Sequence, residues 1–327
     1  MASGITHILL MKNLQQILPV GTKPKLKLAR TRDILNVGAI APDLPYASIA
    51  DSDFFLKTES ELADKFHYEN TNELPLKAFH YIHSIKSEKT LTEINFLFSF
   101  FIGYVSHLIA DGIIHPYVRD KVGDYAQNQT AHRVLEMQLD VLFLEYLTKH
   151  SGKTLNLNFT NLHEELANFE KDTYPQTELV LTTFSNLIKD VYNFDCSVDD
   201  LFGWVKGIYR MFSVAEGEHG IYREIPFIKP FLFSDLDELK EKNKDILILT
   251  KPIDRDENFL KKDKIDFFND CVRMFYEKFI PVLNKAYQFV FKDGPELTDA
   301  DIKSIDLDTG RDLAVNNDLN EIPLYWS

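Results

Sequence analysis

Three side chains that can bind metal ions stand four positions apart in the apolar segment Ile94–Asp120: His107, Asp111 and His115. On an α-helix, positions four apart are turned by about 40° and raised by about 6 Å, so the three side chains form one stripe. Zinc binds nitrogen and carboxylate oxygen at about 2.0 to 2.2 Å, so the two histidines are too far apart to share an ion. Because Asp111 can bridge between them, the spacing predicts a cluster of metal ions.

A second stripe has the same spacing: His132, Glu136 and Asp140 follow one another at four-residue intervals. The preceding residues are polar, and Thr130 is predicted to cap the helix that carries this stripe. Two stripes of ligand-type residues so close together are difficult to explain by packing alone.

The first stripe is also compatible with roles that involve no metal. A histidine on an apolar helix face is commonly a core residue, and Asp111 could form a buried ion pair with His107 or His115. The segment is long enough to span a membrane, but an Asp in hydrocarbon costs about 2.5 to 3.5 kcal/mol, and no second span is present to shelter it. We therefore predict no transmembrane segment.

The elements that must position these residues can be predicted from local signals. Thr90 and Glu93 have the spacing of a capping box, which predicts the start of the central helix, and Pro116 is expected to limit how far it runs. The apolar stretch that begins at His7 predicts a helix with that residue in its first turn. A glycine and two prolines predict a tight turn that presents Asp43.

Composition limits the classes of function. The chain has 327 residues and a net charge of −14. Its high aromatic content, with 25 Phe and 14 Tyr, suits a thick helical core. The negative charge argues against non-specific binding to nucleic acid or to anionic lipid, although bound metal ions would create a local cationic site. Only two cysteines occur, so any metal must be held by histidines and carboxylates.

The remainder of the chain predicts an all-α protein. Helices are expected over Gln176–Phe194, Val198–Val214, Leu236–Lys242 and Lys264–Phe291. We predict a metal-binding domain over residues 1–160, a helical C-terminal part packed on it over 161–292, and an acidic, loosely structured tail over 293–327. The first residues lack the pattern of a secretory signal, so a cytoplasmic location is expected unless a leader precedes this sequence.

Five local motifs resemble those of the zinc-dependent phospholipase C family: THILL, APD, FHYEN, GYVSHLIAD and AHRVLE. The resemblance covers about the first 145 residues. This family includes bacterial phosphatidylcholine-preferring enzymes and the zinc domain of glycosylphosphatidylinositol phospholipase D proteins, and GYVSHLIADGIIH is most similar to the latter. The family shares its helical fold with the single-strand-specific zinc nucleases. The sequence departs from the family at Asn70, which stands where an Asp is expected.

The resemblance implies about three zinc ions and a set of ligands. The first ion would be held by Asp43, His67, His107 and Asp111; the second by His115, His132 and Glu136; the third by Asp111, His7 and the amino terminus of the mature chain. The family's chelating N-terminal residue is missing here. Removal of Met1 before Ala2 would place a free amine about five residues ahead of His7, close to the family spacing.

The implied reaction is hydrolysis of a phospholipid or another phosphodiester. Two metal ions about 3.5 to 4 Å apart can hold both oxygens of an in-line displacement and lower the pKa of a bound water from about 15.7 towards about 7. Asp43 is the candidate catalytic residue, which would orient or deprotonate that water. Asp140 is a candidate for holding the second ring nitrogen of a histidine ligand.

Two alternatives stay open. One is a zinc nuclease of the same fold, although no basic groove with interleaved aromatics is evident and no stable nucleic-acid partner is expected. The other is a catalytically silent helical protein that binds zinc. The His-Asp phosphohydrolase class is disfavoured because it needs an adjacent His-Asp pair, which this sequence lacks. Headgroup preference, the side of phosphorus that is cleaved and the oligomeric state do not follow from the sequence.

Overall fold

The computed structural model describes residues 4–18, 31–50, 58–150, 169, 176–216, 237, 239, 245–250, 264–317 and 322–326. Met1 and Ala2, and the helix predicted over Leu236–Lys242 apart from two of its residues, lie outside these ranges. The statements below concern the described residues.

The described elements confirm the all-α prediction. In chain order the helices are α1 (Gly4–Ile17), α2 (Arg32–Ala39), a 3₁₀ helix (Ala41–Ala50), α3 (Thr58–Tyr68), α4 (Glu73–Ile85), α5 (Leu91–Val122), α6 (Tyr125–His150), α7 (Thr177–Tyr192), α8 (Val198–Glu216), a π-helix (Phe267–Val272), α9 (Arg273–Lys292) and α10 (Leu313–Asn317). Two short antiparallel strands, β1 (Ile248–Thr250) and β2 (Lys264–Asp266), pair with Leu249 opposite Ile265. This small sheet was not predicted.

The central helix α5 begins as predicted. The Thr90 hydroxyl accepts the Glu93 backbone N–H at 3.3 Å, and the Glu93 carboxylate accepts the Thr90 backbone N–H at 2.8 Å, which confirms the capping box. The expectation that Pro116 limits the helix is wrong, because α5 continues to Val122. A proline removes one helical hydrogen bond, and packing around α5 outweighs that loss.

Helix α5 is buried along most of its length, including His107, Asp111 and His115. By length and composition it could cross a membrane, but 94% of its most apolar 18-residue window lies inside the protein. A buried core helix meets the same criteria, so α5 is weak evidence for a span. It packs closely on α2, where a Cβ at Gly38 would overlap the Phe100 carbonyl oxygen. This contact requires glycine, and it brings the chain leading to Asp43 against α5.

Helix α6 differs from the prediction at its start. It begins at Tyr125 rather than after Thr130, and Asn128 interrupts it with φ −130° and ψ 30°. The polar stretch that suggested a turn is therefore a kinked first part of the helix. Thr130 is not its cap, so that prediction is wrong.

Most of the described residues in the C-terminal half are helical, as expected. The helices predicted over Gln176–Phe194 and Val198–Val214 correspond to α7 and α8. The segment Lys264–Phe291 begins instead with β2 and the π-helix before α9. The predicted division into three parts stays a prediction.

The described residues of the expected tail pack against the rest of the protein. Leu297, Ile302, Leu307 and Trp326 are buried, each at most 3% exposed. An acidic composition did not reveal these contacts, because most of the residues that follow α9 are polar while a few apolar side chains anchor them.

Candidate metal centre

Asp111 lies inside the protein with histidines on both sides of its carboxylate. Its Oδ1 atom lies 3.0 Å from His7 Nε2 and 3.6 Å from His115 Nε2. Its Oδ2 atom lies 3.0 Å from His107 Nε2 and 3.5 Å from His67 Nε2. Because the two oxygens face different histidines, this carboxylate has the geometry of a bridge between metal ions.

Four elements bring these donors together. His7 lies in the first turn of α1, Asp43 in the 3₁₀ helix, His67 in the last turn of α3, and His107, Asp111 and His115 on α5. The last turn of α3 was not predicted as helix. The four-residue spacing along α5 gives the stripe expected from the sequence.

Asp43 faces two of the same histidines. Its Oδ1 atom is 3.3 Å from His67 Nε2 and 4.0 Å from His107 Nε2. Two groups of buried donors have ligand atoms within 4.8 Å of one another and could each hold a metal ion. They are His7, Asp43 and His107, and His67, His107 and Asp111.

The donor atoms themselves fit a divalent cation. Six polar atoms of these side chains are buried and have no hydrogen-bond partner in the described structure. They are both ring nitrogens of His7, Asp43 Oδ1, both carboxylate oxygens of Asp111, and His115 Nε2. His7 Nε2 is close to Asp111 Oδ1, but the two do not have hydrogen-bond geometry. Buried polar atoms are nearly always paired, so a cluster of unpaired lone pairs indicates a site built for a cation.

Backbone carbonyls fix the ring orientation of two histidines. His67 Nδ1 lies 2.7 Å from the Ala63 oxygen, and His107 Nδ1 lies 2.9 Å from the Ala39 oxygen. A carbonyl can only accept a hydrogen bond, so each Nδ1 donates, and Nε2 is the ring nitrogen left to bind a metal ion. Backbone carbonyls commonly orient zinc ligands in this way.

The predicted ligands on α6 are only partly brought to this cluster. Glu136 is buried, and its Oε1 atom lies 3.8 Å from His115 Nε2. His132 donates through Nε2 to the Gly123 carbonyl at 2.5 Å and does not belong to either group of converging donors. Its only free ring nitrogen for a metal ion is therefore Nδ1, and its role as a ligand stays a prediction.

Asp140 does not hold a histidine in the described structure, so that expectation is wrong. Its Oδ1 atom accepts the Thr6 backbone N–H at 2.9 Å and the Thr6 hydroxyl at 2.5 Å. The contact ties the first turn of α1 to α6, directly beside His7. Thr6 therefore supports the centre, and no local sequence signal connects it to a residue 134 positions away.

Two aromatic side chains near the centre have different roles. Phe66 is fully buried and packs on Phe184 and Tyr192, so it is a core residue. Tyr46 has its ring 5.7 Å from the His67 ring and donates its hydroxyl to Asp64 at 2.6 Å. Tyr46 is therefore the one of the two with access to the edge of the centre.

Burial and neighbouring charge shift the pKa values in the metal-free protein. Burial acts to lower the pKa of His67, but the nearby carboxylates of Asp111 and Asp43 outweigh it and raise the pKa to about 9. Burial acts to raise the pKa of Asp43, but His107 and His67 outweigh it and lower the pKa to about 2. Burial raises the pKa of Glu136 to about 8. At neutral pH, protons therefore occupy His67 and Glu136.

We expect metal affinity to rise with pH for this reason. A ligand must lose its proton to bind a metal ion. At pH 7 the pH is below the pKa values of both His67 and Glu136, so both side chains are protonated. For each proton that metal binding displaces, the affinity rises about tenfold per pH unit. This increase in affinity stops once the pH exceeds the pKa of the group that releases the proton. Chelator competition between pH 6 and 8 measures this, with calorimetry in two buffers counting the released protons. Affinity that is independent of pH would contradict the assignment.

Comparison with known proteins gives one result. A family model described as zinc-dependent phospholipase C matches residues 6–193, which includes every predicted side-chain ligand and ends one residue after α7. No curated protein and no solved structure matches the chain. The match extends beyond the 145 residues over which local motifs are similar.

Proposed function

The chain belongs to the zinc-dependent phospholipase C family, whose members are hydrolases of phosphodiester bonds, and we propose that it cleaves phospholipids with a centre of about three zinc ions. The observation that carries this proposal is the environment of Asp111. One buried carboxylate faces His7 and His115 with one oxygen, and His67 and His107 with the other. A single metal ion would not need two histidines at each of the two oxygens of one carboxylate, so this arrangement favours more than one ion.

The proposed ligand sets are those that the family resemblance implies. One ion would be held by Asp43, His67, His107 and Asp111; one by His7 and Asp111, with the amino terminus of the mature chain; and one by His115, Glu136 and His132. The first set is supported by the oxygen–nitrogen distances of 3.0 to 4.0 Å given above. The third is supported by the 3.8 Å between His115 Nε2 and Glu136 Oε1.

Zinc bound in this centre supplies a water of lowered pKa and positive charge against the non-bridging oxygens of a phosphodiester. The residues of the chain position that chemistry. Asp43 has a pKa of about 2, so its carboxylate is ionised at neutral pH and able to accept a hydrogen bond. We assign it the role of orienting or deprotonating the attacking water.

Metal analysis followed by a substrate panel tests the proposed function. The panel contains phosphatidylcholine vesicles, phosphatidylinositol vesicles, a chromogenic phosphodiester and single-stranded DNA, each with and without chelator. We expect about three zinc ions per chain, phospholipid cleavage that chelator abolishes, and recovery with zinc but not with magnesium. Diacylglycerol as product indicates phospholipase C activity, whereas phosphatidic acid indicates the D type.

The other outcomes are equally informative. Cleavage of single-stranded DNA without phospholipid cleavage would favour a nuclease of this fold. Full zinc content with no turnover of any phosphodiester would favour a silent zinc-binding protein. Cleavage that persists after all zinc is removed would contradict the proposal.

A further inference from the structure

The segment Ile305–Gly310 lies outside the region that matches the family and contacts two ligand-bearing helices at once. We call it the clamp segment. The Leu307 backbone N–H donates to the His67 carbonyl oxygen at 3.1 Å. That carbonyl belongs to the last turn of α3, where carbonyl groups have no partner within their own helix. The clamp segment therefore binds the backbone of a proposed metal ligand directly.

The other side of the clamp segment meets α5 at its proline. Pro116 has no N–H, so the Gly112 carbonyl, four residues earlier, loses its helical donor. Gly310 packs on that carbonyl with a φ of +66°, and a Cβ at Gly310 would overlap the Gly112 oxygen and lie 2.8 Å from Pro116 Cγ. Only glycine fits this position without displacing either the clamp segment or α5.

The clamp segment has a fixed shape. The Thr71 hydroxyl donates to the Ile305 carbonyl and accepts the Ile305 backbone N–H, both at 2.9 Å. Asp306 Oδ1 accepts the backbone N–H groups of Asp308 and Thr309, both at 2.9 Å. These bonds tie one end of the segment to the residues after α3 and close its turn.

Trp326 adds a second contact to the same stretch of α5. Its side chain is buried, and Nε1 donates to the Ile113 carbonyl at 3.0 Å. The backbone N–H groups of Trp326 and Tyr325 donate to the two carboxylate oxygens of Asp120, at 2.6 and 3.1 Å. Tyr325 also touches the clamp segment, since its Cε2 atom would lie 3.1 Å from a Cβ at Gly310.

We propose that the clamp segment and Trp326 set the geometry of the metal centre, by fixing the distance between α3 and the ligand-bearing part of α5. Gly112 and Ile113 stand between Asp111 and His115, so any shift of these two carbonyls moves both ligands. His67 Nε2 faces Asp111 Oδ2 across this gap at 3.5 Å. Gly310 and Trp326 are thus positioning residues for zinc, and the inference rests on the ligands of the proposed function.

The substitution Gly310→Ala tests the proposal. The added methyl group must push the clamp segment away from α5, and we expect zinc affinity at the weakest site to fall about tenfold or more, as for other supporting residues of metal ligands. Competition with a chromophoric chelator measures each affinity, and the visible spectrum of the cobalt-substituted protein reports ligand geometry. The control is Gly294→Ala, two residues after the end of α9, where the atoms nearest to the new Cβ all belong to Gln288, the closest at 2.8 Å.

A milder variant keeps the test decisive if Gly310→Ala does not fold. Trp326→Phe retains an aromatic ring but removes the N–H that binds the Ile113 carbonyl, and we expect about a three- to tenfold loss of affinity at one site. Wild-type affinity for every ion in the folded variants would overturn the proposal. An equal loss in Gly294→Ala would also overturn it, because general destabilisation would then suffice.

The test is independent of the proposed enzymatic activity. If no phosphodiester is cleaved but the zinc affinities change as expected, the proposed role of the clamp segment is supported and the hydrolase proposal fails. If phospholipid is cleaved and the variants bind zinc normally, the reverse holds.

Discussion

Asp111→Asn should lose bound zinc and almost all turnover. An amide offers one neutral oxygen in place of two charged ones, so it cannot bridge ions, and it leaves the four surrounding histidines without their shared carboxylate. We expect the loss of at least one zinc ion per chain and a decrease in kcat of more than about a thousandfold, equivalent to about 4 kcal/mol of transition-state stabilisation. Metal analysis after dialysis and assay of the chromogenic phosphodiester measure the two effects.

The matched control for this variant is Asp270→Asn. Asp270 is also a buried aspartate, but its carboxylate accepts the Asp266 backbone N–H at the π-helix and takes no part in the centre. We expect it to keep its zinc and its activity. Zinc content unchanged in Asp111→Asn would contradict the bridging role.

Asp43→Asn should reduce turnover with a smaller effect on metal content. Three proposed ligands of the same ion remain, whereas the group that orients or deprotonates water is lost. Removal of a general base typically costs a factor of about 10² to 10⁴. We expect this decrease in kcat with KM changed little, since the interaction is made mainly in the transition state.

Steady-state kinetics on zinc-saturated protein measure this split, with Asp270→Asn again as the control. If Asp43→Asn retained full kcat when saturated with zinc, Asp43 would be only a ligand. If it lost all its metal, the water-orienting role would have no support, and the residue would act through the integrity of the centre.

The helical fold was predictable because its signals are local. Thr90 and Glu93 indicate the start of α5, and the four-residue spacing of His107, Asp111 and His115 follows from helix geometry alone. His7 and Asp43 were found through the order of motifs along the chain. Their distances to the residues on α5 needed the tertiary structure.

The errors arose where distant contacts override local preference. Pro116 lies inside α5, where Gly310, distant in sequence, packs on the Gly112 carbonyl that the proline leaves without its helical donor. Asp140 binds Thr6, a partner that no spacing along α6 could indicate. Polar residues before His132 suggested a turn, but they form the first part of a helix with a kink at Asn128. In this arrangement His132 Nε2 donates to the Gly123 carbonyl.

The same distant contacts determine when the centre can mature during synthesis. Trp326 binds the Ile113 carbonyl across 213 positions of sequence, and Leu307 binds the carbonyl of His67. A nascent chain that has emerged only as far as α7 has every proposed histidine and carboxylate ligand, but it lacks the clamp segment and Trp326. Contacts of such long sequence separation form late and slowly. We therefore expect the centre to reach its full zinc affinity only after the residues that contain Leu307 and Trp326 have been synthesised.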